Sequence, residues 1–154
     1  TLVNMLMPDL PDAVFIDLFS GSGGIGIEAL SRGARKAYFV ENSPKAVACI
    51  TENLEHTHLA DKAVVLKQDV LAALRGNIRE TADIIFLDPP YHQEYDRNVL
   101  ELLRDASYVN DDTLIVVEAS AAASFDYVET LGFVVEKIKQ YKTNKHVFIR
   151  RNTQ

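Results

Sequence analysis

Four carboxylates punctuate this chain at the ends of apolar runs. Asp17 lies near the end of "AVFIDLF", Glu41 ends "KAYFVE", Asp69 follows "AVVLKQ", and Asp88 ends "DIIFLD". An ionised carboxylate is a pure hydrogen-bond acceptor, suited to amino, hydroxyl or ammonium groups. Between the first two lies Gly21-x-Gly23-x-x-Gly26, the spacing of a dinucleotide-binding loop. Glycines there let backbone approach a ligand, and the following helix N-terminus favours negative charge. Glu41 comes 20 residues after Gly21, where an acid grips ribose hydroxyls. The glycines alone fit a nicotinamide cofactor, another nucleoside, or a turn without a ligand.

Two features point away from a nicotinamide. Asp17, just ahead of the loop, is awkward beside a pyrophosphate. It suits an ammonium group, which the methionine part of S-adenosyl-L-methionine carries. The fourth apolar run ends in Asp88-Pro89-Pro90-Tyr91. Two prolines fix φ and remove two donors, giving a rigid turn with exposed carbonyls. The carbonyls and the Asp88 carboxylate accept from an amino group, and the Tyr91 ring stacks on a flat base. Asp69 can accept from an adenine amino group, cap the next helix, or do both.

These residues need strand ends to position them, and the pattern supplies strands. Apolar runs at 13–19, 36–41, 63–68, 83–88 and 113–119 alternate with helical patterns. The helices are expected over Ser22 to Arg32, from Pro44 with Val47, Ile50 and Leu54 inward, over Val70 to Asn77, and over Tyr95 to Ala106. In the last, Val99, Leu102, Leu103 and Ala106 face the core. Another short helix precedes Gly132. Nearly continuous apolar strands are covered on both faces, which predicts an α/β, Rossmann-like, doubly wound and mostly parallel sheet. "FVVEKIKQY" and "HVFIRR" add an antiparallel hairpin turning around Lys142 to Asn144. The 154 residues read as one domain.

Composition narrows the classes. No apolar run reaches the roughly 20 residues that span a bilayer. The net charge of −6 argues against a protein that coats nucleic acid, although not against one local contact patch. The basic run Lys137, Lys139, Lys142, Lys145, Arg150 and Arg151 is the candidate patch. A single cysteine, Cys49, fits a reducing cytoplasm, and its apolar context predicts a core position. His56, His58, His92 and His146 make no metal-ligand spacing, so no metal is expected.

Together, "DLFSGSGGIGIEALSRGA", "VEN", "QDV" and "DPPY" resemble class I S-adenosyl-L-methionine-dependent methyltransferases. More narrowly, they resemble the bacterial family that methylates guanine N2 in small-subunit ribosomal RNA (RsmD-like). The resemblance runs from "TLVNML" to "HVFIRR". It implies that Asp17, Phe19, Gly21, Ser22 and Gly23 line the methionine and ribose side of the cofactor. It gives Glu41 the ribose hydroxyls, Asn42 a place beside the adenine, and Asp69 and Val70 the adenine edge. Asp88, Pro89, Pro90 and Tyr91 would hold the target base. The implied partner is small-subunit rRNA, free or in an assembling ribosomal particle, with a monomer favoured. Other amino methyltransferases, acting on adenine N6, cytosine N4 or a protein glutamine, share much of this pattern. Family members carry an amino-terminal extension with an Arg-Pro-Thr segment. The stripe Leu2, Val3, Leu6 in "TLVNMLMP" reads as a helix that such an extension would precede, so the chain is expected to lack it.

Overall fold

The computed structural model describes residues 2–89 and 93–153, so Pro90, Tyr91 and His92 lie outside the described residues. Seven strands form one sheet: β1 (Val14–Leu18), β2 (Lys36–Val40), β3 (Ala63–Leu66), β4 (Ile84–Leu87), β5 (Leu114–Ser120), β6 (Phe133–Gln140) and β7 (Asn144–Arg151). Their order is β3-β2-β1-β4-β5-β7-β6. The first five are parallel, and β7 runs antiparallel between β5 and β6. The helices are α1 (Leu2–Leu6), α2 (Gly24–Ser31), α3 (Pro44–His56), α4 (Val70–Gly76) and α5 (Gln93–Arg104). The expected helix before Gly132 is a 3-10 segment, Asp126–Leu131, and Gly132 ends it at a φ of 92°.

Alternation along the strands divides the core in two. Phe15, Phe39, Ile84, Phe86 and Val116 pack with Leu2, Leu6, Leu30, Ile50 and Leu54 of α1, α2 and α3. Ile16, Leu18, Ile85, Leu87 and Val117 pack with Leu74, Val99, Leu100 and Leu103 of α4 and α5. Burial on both faces explains why β1 and β4 are apolar at nearly every position, and Asp17 is the exception within β1. Leu100 is buried although the expected stripe omitted it, whereas Leu102 and Ala106 are only partly buried.

Chain order reverses between β1 and β4, where Leu18 pairs with Leu87. Ligands of open α/β sheets bind beyond the carboxyl ends of the strands at such a switch point. The loop after β1 reaches α2 through Gly23, its N-cap at a φ of 80°. Gly26, in the first turn, lies flat against β2. A Cβ there would meet the Phe39 ring at 2.4 Å. The Phe39 ring is itself fully buried and has nowhere to retreat.

Gly26→Ala should therefore destabilise the chain by about 1–3 kcal/mol through overpacking. Gly76→Ala, with open space at its Cβ, should be neutral or stabilising by about 0.5–1 kcal/mol. Urea unfolding of the two variants checks this contrast.

Candidate active site

Asp17 is the penultimate residue of β1, and its side chain shares a face with Phe39 and Phe86. It is 2% exposed. Its Oδ2 accepts one hydrogen bond, from the Gly26 N–H at 3.2 Å. Burial pushes its carboxyl up from 3.8 to about 8, against the opposing pull of the Gly26 N–H. The charges of Asp88 and Glu41 add to the rise, so these three carboxylates share one electrostatic environment.

The loop above Asp17 is tied down residue by residue. Ser20 Oγ donates to the Asp17 carbonyl at 2.7 Å, and the Gly23 N–H donates to the Ser20 carbonyl at 2.8 Å. Glu41 holds the loop from β2. Its Oε1 accepts from the Gly21 N–H at 2.9 Å, and its Oε2 accepts from the Ser43 N–H at 3.0 Å. Each carboxylate oxygen has a second lone pair, so two hydroxyls can still be accepted. Asn53 Nδ2 donates to the Ser22 carbonyl at 3.1 Å, and the Ser22 and Asn42 side chains stay exposed.

Phe19 follows at a φ of 60°, which is strained for an aromatic residue. The turn aims its ring edge-on at Tyr95, with centroids 5.0 Å apart. The Tyr95 hydroxyl donates to Asp69 Oδ1 at 3.1 Å. Asp69 Oδ2 accepts from the Leu71 and Ala72 N–H groups, so Asp69 caps α4 as well as facing the opening. Val70 buries its side chain in the core, which leaves only its backbone for a ligand. Tyr95 was absent from the expected set. Its signal was an aromatic residue in the first turn of α5, close in sequence to Asp88 and Pro89.

Asp88 leaves β4 at the switch point. Its carboxyl is raised to about 6, by partial desolvation first and then by the charge of Glu118, against the opposing pull of His146. Neither neighbour was expected at the site. Asp96 on α5 is also close. It is 4% exposed, its Oδ1 has no hydrogen-bond partner among the described residues, and burial together with Asp88 raises it to about 7. The described part of the site thus brings together Asp17, Phe19, Gly21, Gly23, Glu41, Asp69 and Asp88, with Pro89 half-buried beside them. The expected positions Pro90 and Tyr91 lie outside the described residues.

Two expectations are corrected. Cys49 is exposed, because the buried stripe of α3 runs through Ile50 and Leu54 and position 49 lies off it. The basic run does not form one patch. Lys145 is buried and donates to the Ala123 carbonyl at 2.5 Å. Arg150 pairs with Glu136 at 2.8 Å, and Arg151 with Asp111 at 3.5 Å. Because β7 is antiparallel, these arginines lie at the end of the sheet away from Asp88. Lys139 and Lys142 remain exposed at the near end. Among the described residues, no group of three or more His, Cys, Asp or Glu is arranged to hold a metal ion. Nor is any helix there long and apolar enough to cross a membrane.

The family model described as "Conserved hypothetical protein 95" matches residues 1–150, and the chain belongs to that family. It is 34% identical over 142 residues to "Putative rRNA methyltransferase YlbH" of Bacillus subtilis, covering 91% of this chain and 76% of that protein. It is 34% identical over 120 residues to "Ribosomal RNA small subunit methyltransferase D" of Haemophilus influenzae, covering 77% of this chain. The match spans only 62% of that relative's length. The solved structure "Putative methyltransferase yhhF from Escherichia coli" superposes with a TM-score of 0.87 at 28% identity, covering 99% of this chain and 84% of that one. The fold is that of the class I methyltransferases.

The burial of Asp17 makes a prediction that needs no ligand. Its folded pKa is raised, so the folded state holds the proton more tightly. Stability should then fall as pH rises from about 4 to about 8, by up to ~1.4 kcal/mol per unit. Asp17→Asn should remove that slope. Urea midpoints of both chains should coincide near pH 4 and diverge in favour of the variant by pH 9.

Proposed function

We propose that this chain is an S-adenosyl-L-methionine-dependent methyltransferase that modifies guanine N2 of small-subunit ribosomal RNA. The carrying observation is the convergence of Asp17, Glu41 and Asp88 at the β1/β4 switch point: Leu18 pairs with Val40 and with Leu87, and Glu41 and Asp88 are the next residues on those strands. A pyrophosphate would be repelled there. S-adenosyl-L-methionine bears a sulfonium and an ammonium, and opposite charges at short range are favourable where water is scarce. The names of the relatives support the RNA substrate, and the Asp88 carboxylate beside the Pro89 carbonyl supports an amino nitrogen as the acceptor.

The cofactor, when bound, supplies an electrophilic methyl group on sulfur. Asp17 is placed to receive the ammonium, and Glu41 the ribose hydroxyls. Asp69 and the Val70 backbone, with Asn42 alongside, face the adenine. Phe19, Gly21, Ser22 and Gly23 line the methionine and ribose side. An exocyclic guanine amine is a poor nucleophile, because its lone pair is delocalised into the ring. Asp88 and the Pro89 carbonyl accept its two hydrogens and turn the lone pair toward the methyl. The methyl group would pass from the cofactor sulfur to the amine that Asp88 and the Pro89 carbonyl hold, with the sulfur as leaving group. The nitrogen then loses its surplus proton to Asp88 or to water. Positioning and electrostatic fit account for most of the acceleration. Pro90 and Tyr91, outside the described residues, would serve the target base as the resemblance implies, Tyr91 by stacking on it. The base must be unpaired or flipped out. We place this reaction in the cytoplasm, on free RNA or an assembling particle, with the monomer as the acting unit.

Incubation with labelled S-adenosyl-L-methionine and small-subunit RNA, followed by nucleoside analysis, tests the reading. Labelled N2-methylguanosine is expected. Label in N6-methyladenosine or N4-methylcytidine, or no label at all, rejects it. Asp88→Ala should abolish transfer while cofactor affinity falls far less. Glu41→Ala should weaken S-adenosylhomocysteine binding by a few kcal/mol, at about 1.5–3 per charged hydrogen bond. With Asp88 raised to about 6, its accepting form dominates above that pH. A kcat profile should fall on the acid side near pH 6.

A further inference from the structure

The register places a second carboxylate beside Asp88. Leu87 pairs with Val117, and Val117 with Val147. One step toward the carboxyl end, Asp88, Glu118 and His146 follow on neighbouring chains, and Glu118 pairs with His146 across the β5–β7 ladder. Adjacent strands are about 4.8 Å apart, so Asp88 and Glu118 stand side by side at the mouth of the site.

Glu118 is held in place from behind. His146 Nε2 lies 2.8 Å from Glu118 Oε1, and His146 Nδ1 lies 2.9 Å from the Tyr141 hydroxyl. With the hydroxyl donating to Nδ1, Nε2 carries the hydrogen and donates to Glu118. That tautomer is assigned from the network. The His146 side chain is 8% exposed and packs between Tyr141, edge-on at 5.1 Å, and Phe86 at 6.3 Å. The Glu118 side chain is 32% exposed. Among the described residues, its Oε2 takes no hydrogen bond. A buried histidine thus holds one oxygen of the carboxylate and, among the described residues, leaves the other without a hydrogen bond on a partly exposed side chain.

Resting on the guanine reading above, we propose that Glu118 selects the target base by accepting the guanine N1 hydrogen with Oε2 while Asp88 accepts from N2. The chemistry of the bases argues for this. Guanine offers adjacent donors on its pairing edge, the N2 amine and the N1 hydrogen. Adenine sets its N6 amine beside an acceptor, N1, and cytosine sets its N4 amine beside an acceptor, N3. A flipped base is read on this edge. Two neighbouring acceptors match guanine. Opposite adenine or cytosine, Glu118 would meet a lone pair and leave a desolvated carboxylate unpaired, which is strongly disfavoured. His146 acts through Glu118 and is a positioning residue.

The test uses RNA fragments that carry either guanosine or 2-aminopurine riboside at the position methylated by the wild-type chain. The 2-aminopurine base keeps the amine and lacks the N1 hydrogen. Wild type should prefer guanosine in kcat/KM by about tenfold or more. Glu118→Gln should lower that ratio by a similar factor or invert it, because its carboxamide can donate to N1 of 2-aminopurine. Glu118→Asp keeps the charge but shortens the reach, and should lose part of the preference. An unchanged ratio in Glu118→Gln, whatever its turnover, overturns the proposal and leaves Glu118 as a brace for His146. If that variant does not fold, the Glu118→Asp ratio decides. Wild type that labels adenosine or cytidine instead of guanosine rejects the guanine reading itself.

Discussion

A single buried carboxylate constrains the region around it. Asp17 sits in the interior strand β1, between apolar neighbours, and its Oδ2 accepts from one N–H. That N–H belongs to Gly26, so α2 must begin close above the strand. The close approach leaves no room for a Cβ at position 26, because the Phe39 ring fills that space. The left-handed backbone at Gly23 lets the chain turn from loop to helix within that distance. Glycine spacing, ring packing and carboxylate burial are therefore one arrangement. An unpaired buried acid is unfavourable, and such strain is commonly kept where a ligand relieves it.

Register carries the arrangement sideways. Parallel strands in phase bring their last residues to one edge, so a carboxylate ending one strand stands near its counterparts on the next. Glu41, Asp88 and Glu118 gather on this account, and Asp69 joins them through Tyr95. The edge is acidic, in keeping with the overall charge of −6. It suits a cationic cofactor and a donor-rich base edge. It also means that contacts to an RNA backbone must come from the flanks, where Lys139 and Lys142 stay exposed.

Much of this was legible in the sequence, because local pattern carries it. Strand–helix alternation, the fully apolar strands and the glycine spacing gave the sheet and the cofactor-side carboxylates. What escaped depends on pairing between distant segments. Glu118 and His146 are 28 residues apart and meet only through antiparallel pairing of β5 with β7. The same pairing scattered the basic run, sending Arg150 and Arg151 to the far end of the sheet. Cys49 was misplaced because an apolar neighbourhood is not an apolar face; Ile50 is buried, Val47 is half-buried, and Ala48 and Cys49 are exposed. Asp69 caps α4 with one oxygen and accepts from Tyr95 with the other, a division that sequence does not force.

The central claim is that Asp17 is a socket for a cationic cofactor. Its carboxyl, raised to about 8, is largely protonated at pH 7, and an ammonium bound beside it would drive the proton off. Calorimetry of S-adenosylhomocysteine binding at pH 7, repeated in buffers of different ionisation enthalpy, counts protons released. The account predicts about one proton released by the wild-type chain and almost none by Asp17→Asn, which should also bind more weakly. Binding without proton release, or equal affinity in the two chains, would contradict it.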